Sequence, residues 1–159
     1  MDSKLYIQRA ENEIKLAEII FTISAEPNIQ IETFKINYPE TYFSAAIAHS
    51  YYSIFYSAKA YLAKKGIAVS APEEHKKSFA EFQKFVESGE LGVELFKIYQ
   101  EALMRAEYLL GIFKEEKKKR GKFTYRTMPQ ANQEPAQESI EHAKIFYKHI
   151  FAILDKDNI

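Results

Sequence analysis

With 159 residues, 22 basic and 22 acidic side chains and a formal net charge of zero, the chain has the size of one domain and no overall field to draw it to nucleic acid or an anionic membrane. It has no cysteine, which excludes disulfides and thiolate metal sites and suits a reducing compartment. The N-terminal MDSKLYIQRAENEIK lacks a signal peptide's apolar core and no apolar run approaches bilayer length, so a cytoplasmic protein without a membrane segment is expected.

Leu5, Ile7, Ala10, Ile14, Ala17, Ile20 and Phe21 recur at three- and four-residue spacing, which predicts a first amphipathic helix from about Ser3 to Ile23. Glu26-Pro27-Asn28 ends it, and IQIETFKINYPE reads as a connector with an extended stretch at Ile29–Phe34. A second helix is expected from Pro39 or Glu40 to Lys65, with Pro39 in its first turn and Gly66 after its end. Its segment AAIAHSYYSIFYSAKAYLAKKG, Ala45 to Gly66, is apolar on almost every side, so it belongs at the centre of a bundle. Pro72-Glu73-Glu74 opens a short third helix with Phe79, Phe82 and Val86 inward. After the break at Ser88-Gly89-Glu90, the stripe Val93, Phe96, Tyr99, Leu103, Ala106, Leu110 and Phe113 predicts a fourth helix from Leu91 to Lys119. The polar GKFTYRTMPQANQE is a loop, and Pro135 opens a last helix striped by Ile140, Ala143, Phe146 or Tyr147, Ile150 and Leu154. One all-α domain over residues 1–159, a five-helix up-and-down bundle around a long apolar helix, is the economical reading.

Bundles that hold di-metal centres use Glu-x-x-His pairs. Ala46, Pro72, Ser139 and Phe146 stand three residues before His49, His75, His142 and His149, so the pair is missing and no metal is expected. Glu138 and His142 share a helix face at four-residue spacing and read as a surface contact. His49, Ser53 and Ser57 line one edge of the central helix, where small polar groups allow close helix approach and satisfy one another. Glycine-rich phosphate loops are missing too, so no cofactor is expected. The local charge feature is KEEKKKRGKFTYR, Lys114 to Arg126, with seven basic residues against two acidic ones. It reads either as a phosphate-binding patch with Phe123 and Tyr125 available to stack on bases, or as a solvated helix end favourable to the helix dipole.

Taken in order, AAIAHSYYSIFYSAKAYLAKKG, EEHKKSFAEFQKFVESGEL, RGKFTY and PAQESIEHAKIFYKHI resemble the HEPN superfamily over about residues 45–150, in particular small prokaryotic members encoded beside a minimal nucleotidyltransferase. The resemblance implies the family's helical fold, a homodimer built near the second half of the fourth helix and the adjoining loop, a nucleotidyltransferase partner, and association with RNA or nucleotide. Nuclease members carry an arginine followed, after four to six residues, by a histidine at the dimer seam. The windows after Arg9, Arg105, Arg120 and Arg126 hold Ile14-Lys15-Leu16, Leu110-Gly111-Ile112, Tyr125-Arg126-Thr127 and Ala131-Asn132-Gln133, with no histidine. Arg120 is the matching arginine by context, and Tyr125 stands where the histidine would be. A phenol with an unperturbed pKa of about 10 is a poor general base at neutral pH.

The resemblance therefore favours a non-catalytic binding module in a toxin–antitoxin or regulatory setting. RNA or nucleotide would bind at Arg120, Tyr125, Arg126, Lys117, Lys118, Lys119 and Lys122. The competing readings are a weak metal-independent endoribonuclease, with Arg120 as phosphate ligand and Tyr125 in proton transfer, and a purely structural interaction protein.

Overall fold

The computed structural model describes residues 2–110 and 133–157. Among them run six helices and no strand: α1 (Ser3–Ala25), α2 (Pro27–Glu32), α3 (Phe43–Lys64), α4 (Glu74–Glu87), α5 (Val93–Leu110) and α6 (Gln133–Lys156).

The apolar helix α3 is the centre, as its composition predicts, with Ala46, Tyr51, Ile54, Phe55, Ala58 and Leu62 among its buried residues. Small side chains set how closely its neighbours approach. Ala10 and Ala17 of α1 and Ala136 and Ala143 of α6 have no exposed surface, so both helices lie with their backbones near α3. The Ser53 hydroxyl donates to the Ala10 carbonyl and the Ser3 hydroxyl to the Ala60 carbonyl, each at 2.8 Å. Helices α4 and α5 close the remaining side through aromatic packing of Phe82, Tyr99, Phe146 and Tyr61. Gly66 and Gly89, with φ of 77° and 82°, end α3 and α4 in a left-handed conformation that favours glycine.

Several expectations need correction. The stretch expected to be extended, Ile29–Phe34, is instead largely the short helix α2, making six helices rather than five. Pro27 sits in its first turn, and the buried Gln30 side chain pins it: Nε2 donates to the carbonyls of Ile23 and Glu40, both at 2.8 Å, and Oε1 accepts from the Glu40 amide at 2.9 Å. Ile31 and Phe34, the apolar residues that suggested a strand, are exposed.

The central helix starts at Phe43 rather than at Pro39 or Glu40. Gln30 holds the Glu40 backbone, and the Ser24 hydroxyl accepts the Tyr42 amide at 2.7 Å; groups engaged with side chains of earlier elements are unavailable to a helix ladder. On α5 the inward residues are Leu95, Tyr99, Leu103 and Ala106, while Val93 is exposed. The expected extension of α5 to Lys119 lies outside the described residues beyond Leu110. Helix α6 begins at Gln133, with Pro135 inside its first turn, and Phe146 rather than Tyr147 is fully buried. No helix among the described residues is long and apolar enough to cross a membrane.

Candidate functional site

Lys117, Lys118, Lys119, Arg120, Lys122, Tyr125 and Arg126 all lie outside the described residues. The helices that flank them in sequence, α5 and α6, meet through a polar cluster.

Arg105 of α5 reaches α6, where Nη1 donates to the Ser139 hydroxyl at 3.0 Å and Nη2 to Glu138 Oε2 at 3.1 Å. His142, one turn beyond Glu138, stands between two carboxylates: Nδ1 is 3.8 Å from Glu101 and Nε2 is 3.9 Å from Glu138. Glu138 and His142 were legible as a pair, but Glu101 and Arg105 were not attached to them. They too are four residues apart, on α5, so two such spacings on facing helices are the signal that was available.

Glu101, Glu138 and His142 could each offer one ligand atom to a cation, all within 4.8 Å of one another. Arg105 already supplies a positive charge there and engages one Glu138 oxygen, so one of the two carboxylates is already paired. The cavity beside it, lined by Ser50, Tyr51, Arg105, Ser139 and His142, is about 10 Å³, scarcely the space of one water. The arrangement ties α5 to α6 and has no room for a substrate.

A second polar cluster seats the start of α4 on α3. The Tyr51 hydroxyl and His75 Nδ1 are 2.7 Å apart, and the imidazole lies over the Phe55 ring with centroids 4.2 Å apart. Burial, then the charges of Tyr99, Tyr52 and Glu74, push the Tyr51 phenol far above its ordinary value, so it keeps its proton. Burial lowers the His75 pKa from 6.5; Glu74 opposes that shift and Lys59 adds to it. Lys59 is itself buried, bonded to Glu74 and donating to the Val69 carbonyl at 2.8 Å. Burial works against its charge, but Glu74 and Tyr6 outweigh that and hold its pKa above the usual lysine value.

The edge formed by His49, Ser53 and Ser57 does not satisfy itself. His49 Nδ1 lies 2.5 Å from Glu13 Oε2 on α1, Ser53 bonds α1, and Ser57 has no hydrogen-bond partner. A wider cleft of about 520 Å³ separates α1 from the end of α6. Ile7, Leu154 and the stacked Tyr147–Phe151 pair line it together with the charged Lys4, Glu11, Lys64 and Asp155.

An all-α bundle around a small-residue, tyrosine-bearing helix is what the resemblance implies; the described residues build it with six helices rather than five, and a family model described as the HEPN domain matches residues 28–153. This chain belongs to the HEPN family. No curated protein and no solved structure was found to match it. The matched range covers α3 to α5 and nearly all of α6, whereas α1 precedes it. Even so, α1 is integral to this HEPN domain, because Ile7, Ala10, Ile14 and Ala17 are buried in its core.

Proposed function

We propose that this HEPN domain binds RNA or a nucleotide through Lys117, Lys118, Lys119, Arg120, Lys122, Tyr125 and Arg126 and does not cut RNA. In this reading it works as a homodimer beside a nucleotidyltransferase partner in a toxin–antitoxin or regulatory setting. The observation that carries the non-catalytic part concerns arginine and histidine together. No histidine follows any arginine at the nuclease spacing. Where the fold brings Arg105 and His142 into one cluster, Glu138 engages the guanidinium and Glu101 and Glu138 flank the imidazole. Carboxylates at those positions repel a phosphodiester, and the adjoining cavity has no room for one.

Binding is supported by the charge of the 114–126 segment against a neutral chain and by two aromatic residues within it. The homodimer rests on the family resemblance, which puts the seam at the second half of the expected fourth helix and the adjoining loop.

A titration of RNA at two salt concentrations tests the binding reading. Arg120→Ala weakens affinity by about 1–3 kcal/mol, the scale of a charge-assisted hydrogen bond, while the melting temperature is nearly unchanged. Neutralising Lys117–Lys119 lowers affinity more modestly and flattens its salt dependence, since those charges act through screened attraction. Equal affinities for wild type and both variants would leave the segment without a binding role.

A further inference from the structure

The start of α4 is held by side-chain contacts rather than by a cap. Its N-cap, Glu73, has a φ of 58° and makes no side-chain capping bond, so the first turn lacks the usual anchor. Two contacts with α3 hold it instead: His75 against Tyr51, and Glu74 against the buried Lys59. The hydrophobic anchorage of α4 begins one turn later, at Phe79 and Phe82.

The His75 contact works for one protonation state. In the neutral tautomer with Nδ1 unprotonated, the Tyr51 hydroxyl, which keeps its proton, donates to Nδ1, and the ring rests on Phe55 and beside Tyr51 and Tyr52. An imidazolium has to donate from Nδ1. The Tyr51 hydroxyl must then give up its donation to Nδ1 and turn its own proton away from the imidazolium.

Burial, not the neighbouring charges, favours the neutral ring: Glu74 raises its pKa and Lys59 lowers it by less. From α3 come Tyr51, Tyr52 and the Lys59 ammonium; Tyr99 of α5 acts on Tyr51, and Tyr6 and Glu13 of α1 act on Lys59 and Tyr52. On α4 itself Glu74 is the adjacent carboxylate, already bonded to Lys59, while Lys76 and Lys77 are exposed cations. The positive end of the α4 dipole adds to the disadvantage of a charge at the second residue of the helix.

We propose that His75 is a proton-operated latch: neutral, it accepts the Tyr51 phenol and seats the first turn of α4 on α3; protonated, it leaves that seat and the turn opens while Phe82 stays packed. The lowered His75 pKa supports this direction. A histidine that folds preferentially neutral stabilises the seated state fully above its unfolded value of about 6.5. That contribution falls as pH drops through this value toward the folded pKa, below which it falls no further.

Residue-resolved amide exchange on the full chain between pH 7.5 and 5.5, corrected for the intrinsic rate, tests the latch. The amides of Lys77 to Ala80, whose acceptors lie in the first turn and its cap, lose protection by up to about tenfold per pH unit, while those of Phe82 to Glu87 do not change. His75→Phe keeps a ring on Phe55 and makes the profile flat. Tyr51→Phe removes the donor to the neutral ring, brings the seated-state pKa toward the open-state value and so shrinks the pH-dependent loss, which keeps the test decisive if His75→Phe folds poorly. The same protection for Lys77 to Ala80 throughout in wild type, an equal loss in His75→Phe, or an undiminished loss in Tyr51→Phe overturns the proposal.

Discussion

Phe82→Ala lowers the unfolding free energy by about 3–5 kcal/mol. The ring has no exposed surface and sits where four helices meet: its centroid is 6.2 Å from that of Tyr61 on α3, 5.3 Å from Tyr99 on α5 and 5.4 Å from Phe146 on α6. The neighbours are rings fixed by one another, with Tyr99 and Phe146 in edge contact at 5.8 Å, so they cannot collapse into the space a benzyl group leaves. Chemical denaturation at fixed pH measures the loss. A cost under about 1 kcal/mol would mean that α4 contributes little to the core, because even a partly filled cavity of this size exceeds that figure.

The second large effect is an asymmetry within one ion pair. Lys59 has a side chain only 4% exposed, whereas that of its partner Glu74 is 36% exposed. Glu74→Ala strands the ammonium in the core with the Val69 carbonyl and the faces of Tyr6 and Phe55, whose centroids are 5.0 and 5.7 Å away. The expected cost is about 3–5 kcal/mol, the range for removing one member of a buried pair. Lys59→Met leaves the more exposed partner, which water can solvate, and fills the same volume with an apolar chain, so it is near neutral. The pair of melts is the measurement. Equal losses for the two variants would show that the contact stabilises through its attraction rather than by compensating a buried charge.

The parts of this fold legible in the sequence are those with a periodic trace. Helices α1, α3 and α6 bury residues at helical spacing, and the run of Ala, Ser and Tyr in α3 marks it as central before any contact is known. Element ends were less legible because bonds distant in sequence set them. Gln30 to Ile23 and Glu40, and Ser24 to Tyr42, turn a connector that reads as extended into α2 and delay α3 to Phe43. The Arg105 cluster has a related history: each of its four-residue spacings was visible on its own helix, but only the packing of α5 on α6 brings them face to face. The role of His75 left no sequence signal of its own, since a histidine near a helix start does not say which phenol it will meet.

The reading that this HEPN protein binds RNA without cutting it is tested most directly by incubating end-labelled single-stranded RNA with purified protein in the presence of a chelator and running the products on native and denaturing gels. The account predicts a retarded band on the native gel and intact RNA on the denaturing one. Defined fragments that appear with wild type and vanish with Arg120→Ala or with His142→Ala would contradict it, and would put the missing base at Tyr125 or at the histidine that the fold carries beside Arg105.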